Sequence, residues 1–104
     1  RMKMNSATAM LVKEILENGW YRKGTTLGES GWSQIPPMWK YYELFAMGKS
    51  PDSIWHTIDA ITAKDDQTAV EAFHSLFHMD EFVGYEICEK VTEYRIVETS
   101  NDEE

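Results

Sequence analysis

The sequence predicts a mainly α-helical single domain, a compact bundle of four to five short helices, on three observations. Apolar residues recur at i, i+3, i+4 and i+7 through much of the chain. Ser, Thr and Pro stand where helices would begin, and Gly where they would end. A chain of 104 residues with 42% hydrophobic content is long enough for one core without a disulfide or metal staple.

The first helix is expected over about Ala7 to Asn18, with Ser6 as N-cap and Gly19 as the left-handed residue that closes it. Leu11, Val12, Ile15 and Leu16 form its apolar stripe, opposite Lys13, Glu14 and Glu17. From Gly19 to Pro37 the period breaks at Gly19, Gly24, Gly28, Gly31 and the Pro36-Pro37 pair, which predicts a long glycine-rich loop. Thr25-Thr26-Leu27 and Trp32-Ser33-Gln34-Ile35 flank a turn there that would close a short hairpin.

A second helix is read from Pro37 to Met47, with Met38, Tyr41, Tyr42 and Phe45 on one face and Gly48 at its end. Ser50 followed by Pro51 is the clearest helix start in the chain, and Ile54, Trp55, Ile58 and Ile61 would be the buried face of the third helix. After a turn at Lys64-Asp65-Asp66, Thr68-Ala69-Val70-Glu71 reads as a capping box. It would open a fourth helix, running to about Met79, with Val70, Phe73 and Phe77 as its core.

The stretch from Asp80 to Val97 fits both periods. As a helix it sets Ile87, Val91 and Tyr94 on one face and Glu86, Glu89 and Glu93 on the other; as a strand it alternates Thr92, Tyr94 and Ile96 with Glu93, Arg95 and Val97. The helix, ending in a short extended piece, is the preferred reading. Residues 99–104 form a polar acidic tail expected to fray. No repeat or polar linker divides the chain, so residues 1–104 read as one domain.

Taken together, a first helix closing on Gly19-Trp20, a glycine-containing loop, a helix ending Phe45-Ala46-Met47-Gly48 and an Asp66-x-Thr68 turn into another helix resemble an uncharacterised family of small helical proteins from phages and bacteria. The resemblance covers about residues 11 to 77, and Tyr21-Arg22-Lys23 departs from the Cys-containing stretch that follows the Trp in that family. It implies no activity, only an origin in a phage or mobile element.

Charge separates the two halves of the chain. Residues 1–50 carry seven Lys/Arg and four Asp/Glu, a net of +3, whereas residues 51–104 carry three Lys/Arg and fourteen Asp/Glu, a net of −11. A field of that sign repels phosphate backbones and attracts basic surfaces, so direct nucleic-acid binding by the second half is not expected. The single cysteine, Cys88, excludes an intramolecular disulfide and a cysteine-based zinc site within one chain, which suits a reducing, cytoplasmic compartment. No apolar run approaches the roughly 20 residues of a spanning helix, and no membrane association is expected.

Candidate chemistry is sparse. Glu71, His74 and His78 fall within about 60° on one helix face and would offer two imidazoles and a carboxylate to a divalent ion; lying opposite the apolar stripe, they read first as solvated surface. Trp20, Tyr21, Arg22 and Lys23 are the one aromatic and basic cluster, of the kind that stacks on bases, yet a loop packed by its own aromatics explains them as well. Gly48-Lys49-Ser50 ends like a phosphate-binding loop, but Glu43 stands where its first glycine belongs. Cys88 has no catalytic motif around it and reads as a buried thiol. Neither an enzyme nor a cofactor is indicated.

The acidic surface carries the functional reading. Asp65, Asp66, Asp80, Glu81, the Glu86, Glu89, Glu93 stripe and Asp102-Glu103-Glu104 would together imitate the spaced charge of a nucleic-acid duplex, with Trp20 and Tyr21 as aromatic anchors. The expected function is a non-enzymatic acidic protein-binding module, a phage or mobile-element inhibitor occupying a basic site on a host or defence protein. The alternatives are a divalent-metal-binding protein using Glu71, His74 and His78, and a structural oligomerising component. The first reading depends on a helix at residues 80–97, because a strand would scatter Glu86, Glu89 and Glu93 over both faces.

Overall fold

A five-stranded antiparallel sheet, in the order β1-β3-β2-β4-β5, organises the protein. The computed structural model describes residues 4–100. Along the chain come α1 (Ser6–Asn18), β1 (Trp20–Arg22), a one-turn α2 (Glu29–Trp32), β2 (Lys40–Gly48), β3 (His56–Ala63), α3 (Asp66–Leu76), β4 (Phe82–Lys90) and β5 (Tyr94–Thr99). The expected mainly helical bundle is therefore corrected: the described residues contain three helices, and the sheet rather than a helix bundle is the framework.

Two of the predicted helices form. α1 spans the expected residues with its cap one position earlier, Asn5 Oδ1 accepting from the Thr8 N–H at 2.8 Å, and Gly19 closes it at φ +85°. α3 is capped by Asp65, whose Oδ1 accepts from Thr68 N–H at 2.8 Å. That places the cap three residues before the Thr68 read as the start, and the helix ends at Leu76 rather than Met79.

The other two are strands. Tyr41, Tyr42, Leu44 and Phe45 satisfy a helical period, yet β2 is the central strand and buries residues on both faces, so its apolar side chains follow one another without the alternation that marks a half-exposed strand. Ser50-Pro51 opens a turn instead of a helix: Ser53 N–H donates to Ser50 O at 3.0 Å, and β3 follows with β-branched Thr57, Ile58, Ile61 and Thr62. The third ambiguity resolves as a β4–β5 hairpin, with Glu89 opposite Arg95 and Lys90 opposite Tyr94. In the glycine-rich segment no internal hairpin forms; β1 pairs with β3, Trp20 opposite Ala63. Thr99 closes β5 and Ser100 donates its N–H to Tyr85 O at 2.9 Å, so the expected tail is bound to the sheet at its start; residues 101–104 lie outside the described residues.

β3, α3 and β4 make a split crossover with β2 between the two strands. This lays α3 on one face of the sheet, where Phe73, Ala69 and Ala72 meet Tyr42, Leu44, Ile61 and Ile87 in the main core. The alanines let the helix approach closely. On the other face sits a smaller core of Val12 and Ile15 from α1 with Leu27 and Ile35, packed against Tyr21 and Trp39. Trp20 and Tyr21 are neighbours in sequence but join different cores, because successive strand residues point to opposite faces. Gly31 brings α2 against α1; a Cβ there would stand 2.8 Å from Leu27 Cβ and 3.0 Å from Thr8 Cγ2. No helix among the described residues is long and apolar enough to cross a membrane.

Candidate functional site: the uncovered end of the sheet

α1 and α2 cover only the end of their face next to β1 and the start of β2. Toward the other end the same face carries Phe45 of β2, Glu86 and Cys88 of β4, and Tyr94 and Ile96 of β5, and no helix among the described residues lies on them. With Trp55 from the loop before β3, these side chains line an open groove of about 700 Å³. That volume is in the range of ligand sites, roughly 300–1,000 Å³. Trp55, Tyr94 and Ile96 are 46%, 49% and 53% exposed, a concentration of large apolar surface on one patch. A second hollow of about 380 Å³ lies beyond Trp55, bordered by Val83 and Gly84.

The register explains the arrangement. Phe45 is directly opposite Glu86, Glu43 opposite Cys88 and Cys88 opposite Ile96, so all five share the uncovered face. Phe45 and Tyr94 meet edge to face, with ring centroids 5.3 Å apart and planes at 83°. The Tyr94 hydroxyl donates to Glu43 Oε1 at 2.9 Å, which fixes the ring and engages the buried Glu43 carboxylate; that bond to Glu43 is also what chiefly raises the Tyr94 pKa. Glu86 differs: half-buried on the groove wall, its carboxylate makes no hydrogen bond or ion pair among the described residues. Burial, followed by the nearby Glu86 and Glu43 carboxylates, pushes the Cys88 thiol up, which disfavours the thiolate.

The opposite face is closed electrostatically. Tyr42, fully buried, donates its hydroxyl to Asp66 Oδ1 at 2.6 Å, and Arg95 bridges Asp66 at 2.8 Å and Glu89 at 2.6 Å. Burial and then the Asp66 bond raise the Tyr42 pKa, while the Tyr42 hydroxyl, and after it Arg95, hold Asp66 below the usual carboxylate range. At the far end of this face His74 Nε2 and the Tyr85 hydroxyl each lie 2.7 Å from Glu98 Oε2.

The predicted acidic stripe is thus divided among three environments. Glu86 faces the groove, Glu89 is buried under α3 against Arg95, and Glu93 is exposed in the β4–β5 turn. Asp65 caps α3 and Asp66 is bound to Tyr42 and Arg95, while Asp80 and Glu81 are exposed on a 3₁₀ turn before β4. Trp20 and Tyr21, expected as anchors, are packing residues; Tyr21 lies 5.1 Å from Trp32 and 6.3 Å from Trp39 between ring centroids. Nor do Glu71, His74 and His78 converge. Glu71 accepts from Gln67, His74 turns to Glu98, and His78 stands beyond the end of α3; no group of three or more His, Cys, Asp or Glu side chains among the described residues could hold a metal ion.

Of the groove residues, the sequence marks only Glu86 for partner binding. The helical period places Phe45 and Trp55 on helix faces, Cys88 reads as a buried thiol, and the alternation of Tyr94 and Ile96 belongs to the strand alternative for residues 80–97. No family model, curated protein or solved structure matches the chain. The phage origin implied by the resemblance and the inhibitor role read from the acidic surface are carried no further.

Proposed function

We propose that this protein is a non-enzymatic binding module that receives a basic segment of a partner protein in the groove at the uncovered end of its sheet. The observation that carries the reading is the pairing of exposed Trp55, Tyr94 and Ile96 with the Glu86 carboxylate on one wall, which has no partner among the described residues. Apolar side chains supply contact area, and a carboxylate without a partner favours a cation. The net charge of −8 extends that preference over the whole molecule and speeds encounter with basic surfaces. The same charge disfavours a second copy as occupant, since pairing two grooves would bring Glu86 and Glu43 of each toward those of the other. We place the module in the cytoplasm, where the single thiol of Cys88 remains reduced.

The test is capture of a partner from a cell lysate on the immobilised full chain at low and high salt, alongside Glu86→Lys and Trp55→Ala. A basic protein retained by the parent at low salt and lost from both variants, with circular dichroism unchanged, is the expected result. Retention that survives Trp55→Ala removes the groove as the docking surface, and retention indifferent to both salt and Glu86→Lys removes the electrostatic reading.

A further inference from the structure

The groove has a chemistry narrower than a preference for basic proteins. Phe45, Trp55 and Tyr94 line it, Phe45 and Tyr94 set edge to face at 83° so that they form a corner, and Lys90 Nζ lies over the Tyr94 ring 5.6 Å from its centroid, an ammonium already drawn to one of these rings. A cation near ring faces is attracted by the ring quadrupole, by about 0.5–1 kcal/mol where exposed and about 2 where desolvated. Tyr94 cannot swing away freely, because its hydroxyl is bonded to Glu43. Glu43 is engaged by that bond, which leaves Glu86 as the carboxylate on this wall without a partner among the described residues.

An unmodified lysine head is a compact, strongly hydrated ammonium with three donors. In this groove it would exchange a full hydration shell for ring faces and one free carboxylate. Methylation removes the donors, spreads the charge over methyl groups and lowers the cost of leaving water, while attraction to the rings and to Glu86 remains. An uncharged group of the same shape would fill the space but gain nothing from Glu86.

We infer that the groove binds a methylated lysine side chain of the partner, its alkylammonium head held between Trp55, Phe45 and Tyr94 with Glu86 as counter-charge. This rests on the binding-module reading above and names the side chain it recognises.

The experiment is an NMR titration of the full chain with three short peptides that differ only at one central residue: trimethyl-lysine, lysine, or a neutral tert-butyl isostere of trimethyl-lysine. Tetramethylammonium chloride is the fourth probe. Shifts at the Trp55 indole N–H and at the Glu86 and Ile96 amides are expected, with the trimethyl-lysine peptide binding about tenfold tighter than the neutral isostere, the ratio that about 1.4 kcal/mol of cation–aromatic attraction gives, and tighter than the lysine peptide, whose ammonium gives up more hydration. Trp55→Ala should abolish the shifts and Glu86→Gln should weaken binding of the charged peptide towards that of the isostere. Met38→Ala, 76% exposed and outside the groove lining, should leave them unchanged.

Equal affinity for the isostere overturns the inference, because the groove would then recognise shape alone. So does lysine binding as tightly as trimethyl-lysine, tetramethylammonium binding as tightly as the peptide, shifts centred elsewhere, or no binding. If the inference fails while capture of a basic partner still depends on Glu86 and Trp55, the module reading stands and only its ligand is wrong. Loss of both results removes both.

Discussion

The two faces of this sheet are built from neighbouring residues of the same strands and are finished in opposite ways. Under α3, Phe73, Leu44, Ile61 and Ile87 are fully buried, and the charged groups at that face's border are bound: Glu89 and Asp66 to Arg95, Asp66 also to Tyr42, Glu98 to His74 and Tyr85. On the other face α1 and α2 close one end, and beyond them Phe45, Tyr94, Ile96 and Trp55 border an open groove beside Glu86, a carboxylate without a partner among the described residues. One face is saturated, so substitutions there are expected to cost stability. The other retains unsatisfied apolar and charged groups, so substitutions there should cost binding.

The sharpest test of that division is truncation on each side. Phe73→Ala, at a fully buried position, is expected to destabilise by about 3–5 kcal/mol in denaturant unfolding. Trp55→Ala should change stability by less than about 1 kcal/mol, as a half-exposed side chain that leaves no cavity. Comparable losses from both would mean that the groove is a core in its own right.

Next in size is the closed end of the second face. Gly31→Ala places a Cβ 2.8 Å from Leu27 Cβ and 3.0 Å from Thr8 Cγ2, so α2 must shift away from α1. Overpacking of this kind costs about 1–3 kcal/mol. A thermal unfolding midpoint that does not fall would show that α2 adapts freely and does not brace this face.

A smaller and pH-dependent effect belongs to the covered face. Asp66 is held below its ordinary range by the Tyr42 hydroxyl and Arg95, so its folded form binds a proton less readily than its unfolded form. Its contribution is therefore present above the ordinary carboxylate pKa, about 4, and is lost as pH falls through the lower folded value. The stability difference between the parent and Asp66→Asn should be greatest near neutrality and narrow steadily on acidification. A difference independent of pH would show that the network works through shape rather than charge. The smallest expected change in stability is that of Glu86→Gln, close to zero, since the carboxylate has no partner among the described residues to lose.

Local signals in the chain were sufficient for the helices that begin and end on caps. α1 has Gly19 at a positive φ where the chain must turn, and α3 has an Asp side chain within reach of a free N–H; both are interactions between residues three or four apart, which sequence displays directly. The charge division was equally visible, being a property of composition. β2 and β3 were not legible, because Tyr41, Tyr42 and Phe45 fit a helical face as well as the two sides of a central strand, and the Ser50-Pro51 start serves a turn as readily as a helix. Their state was decided by pairing partners up to dozens of residues away. Glu43 faces Cys88, Phe45 faces Glu86, and Trp20 faces Ala63. That long-range register also parted Glu86 from Glu89 and assembled Phe45, Trp55, Tyr94 and Ile96 into one groove. A strand's side is set by a period of two, so the face on which each side chain falls, and with it the candidate site, exists only once the sheet has formed.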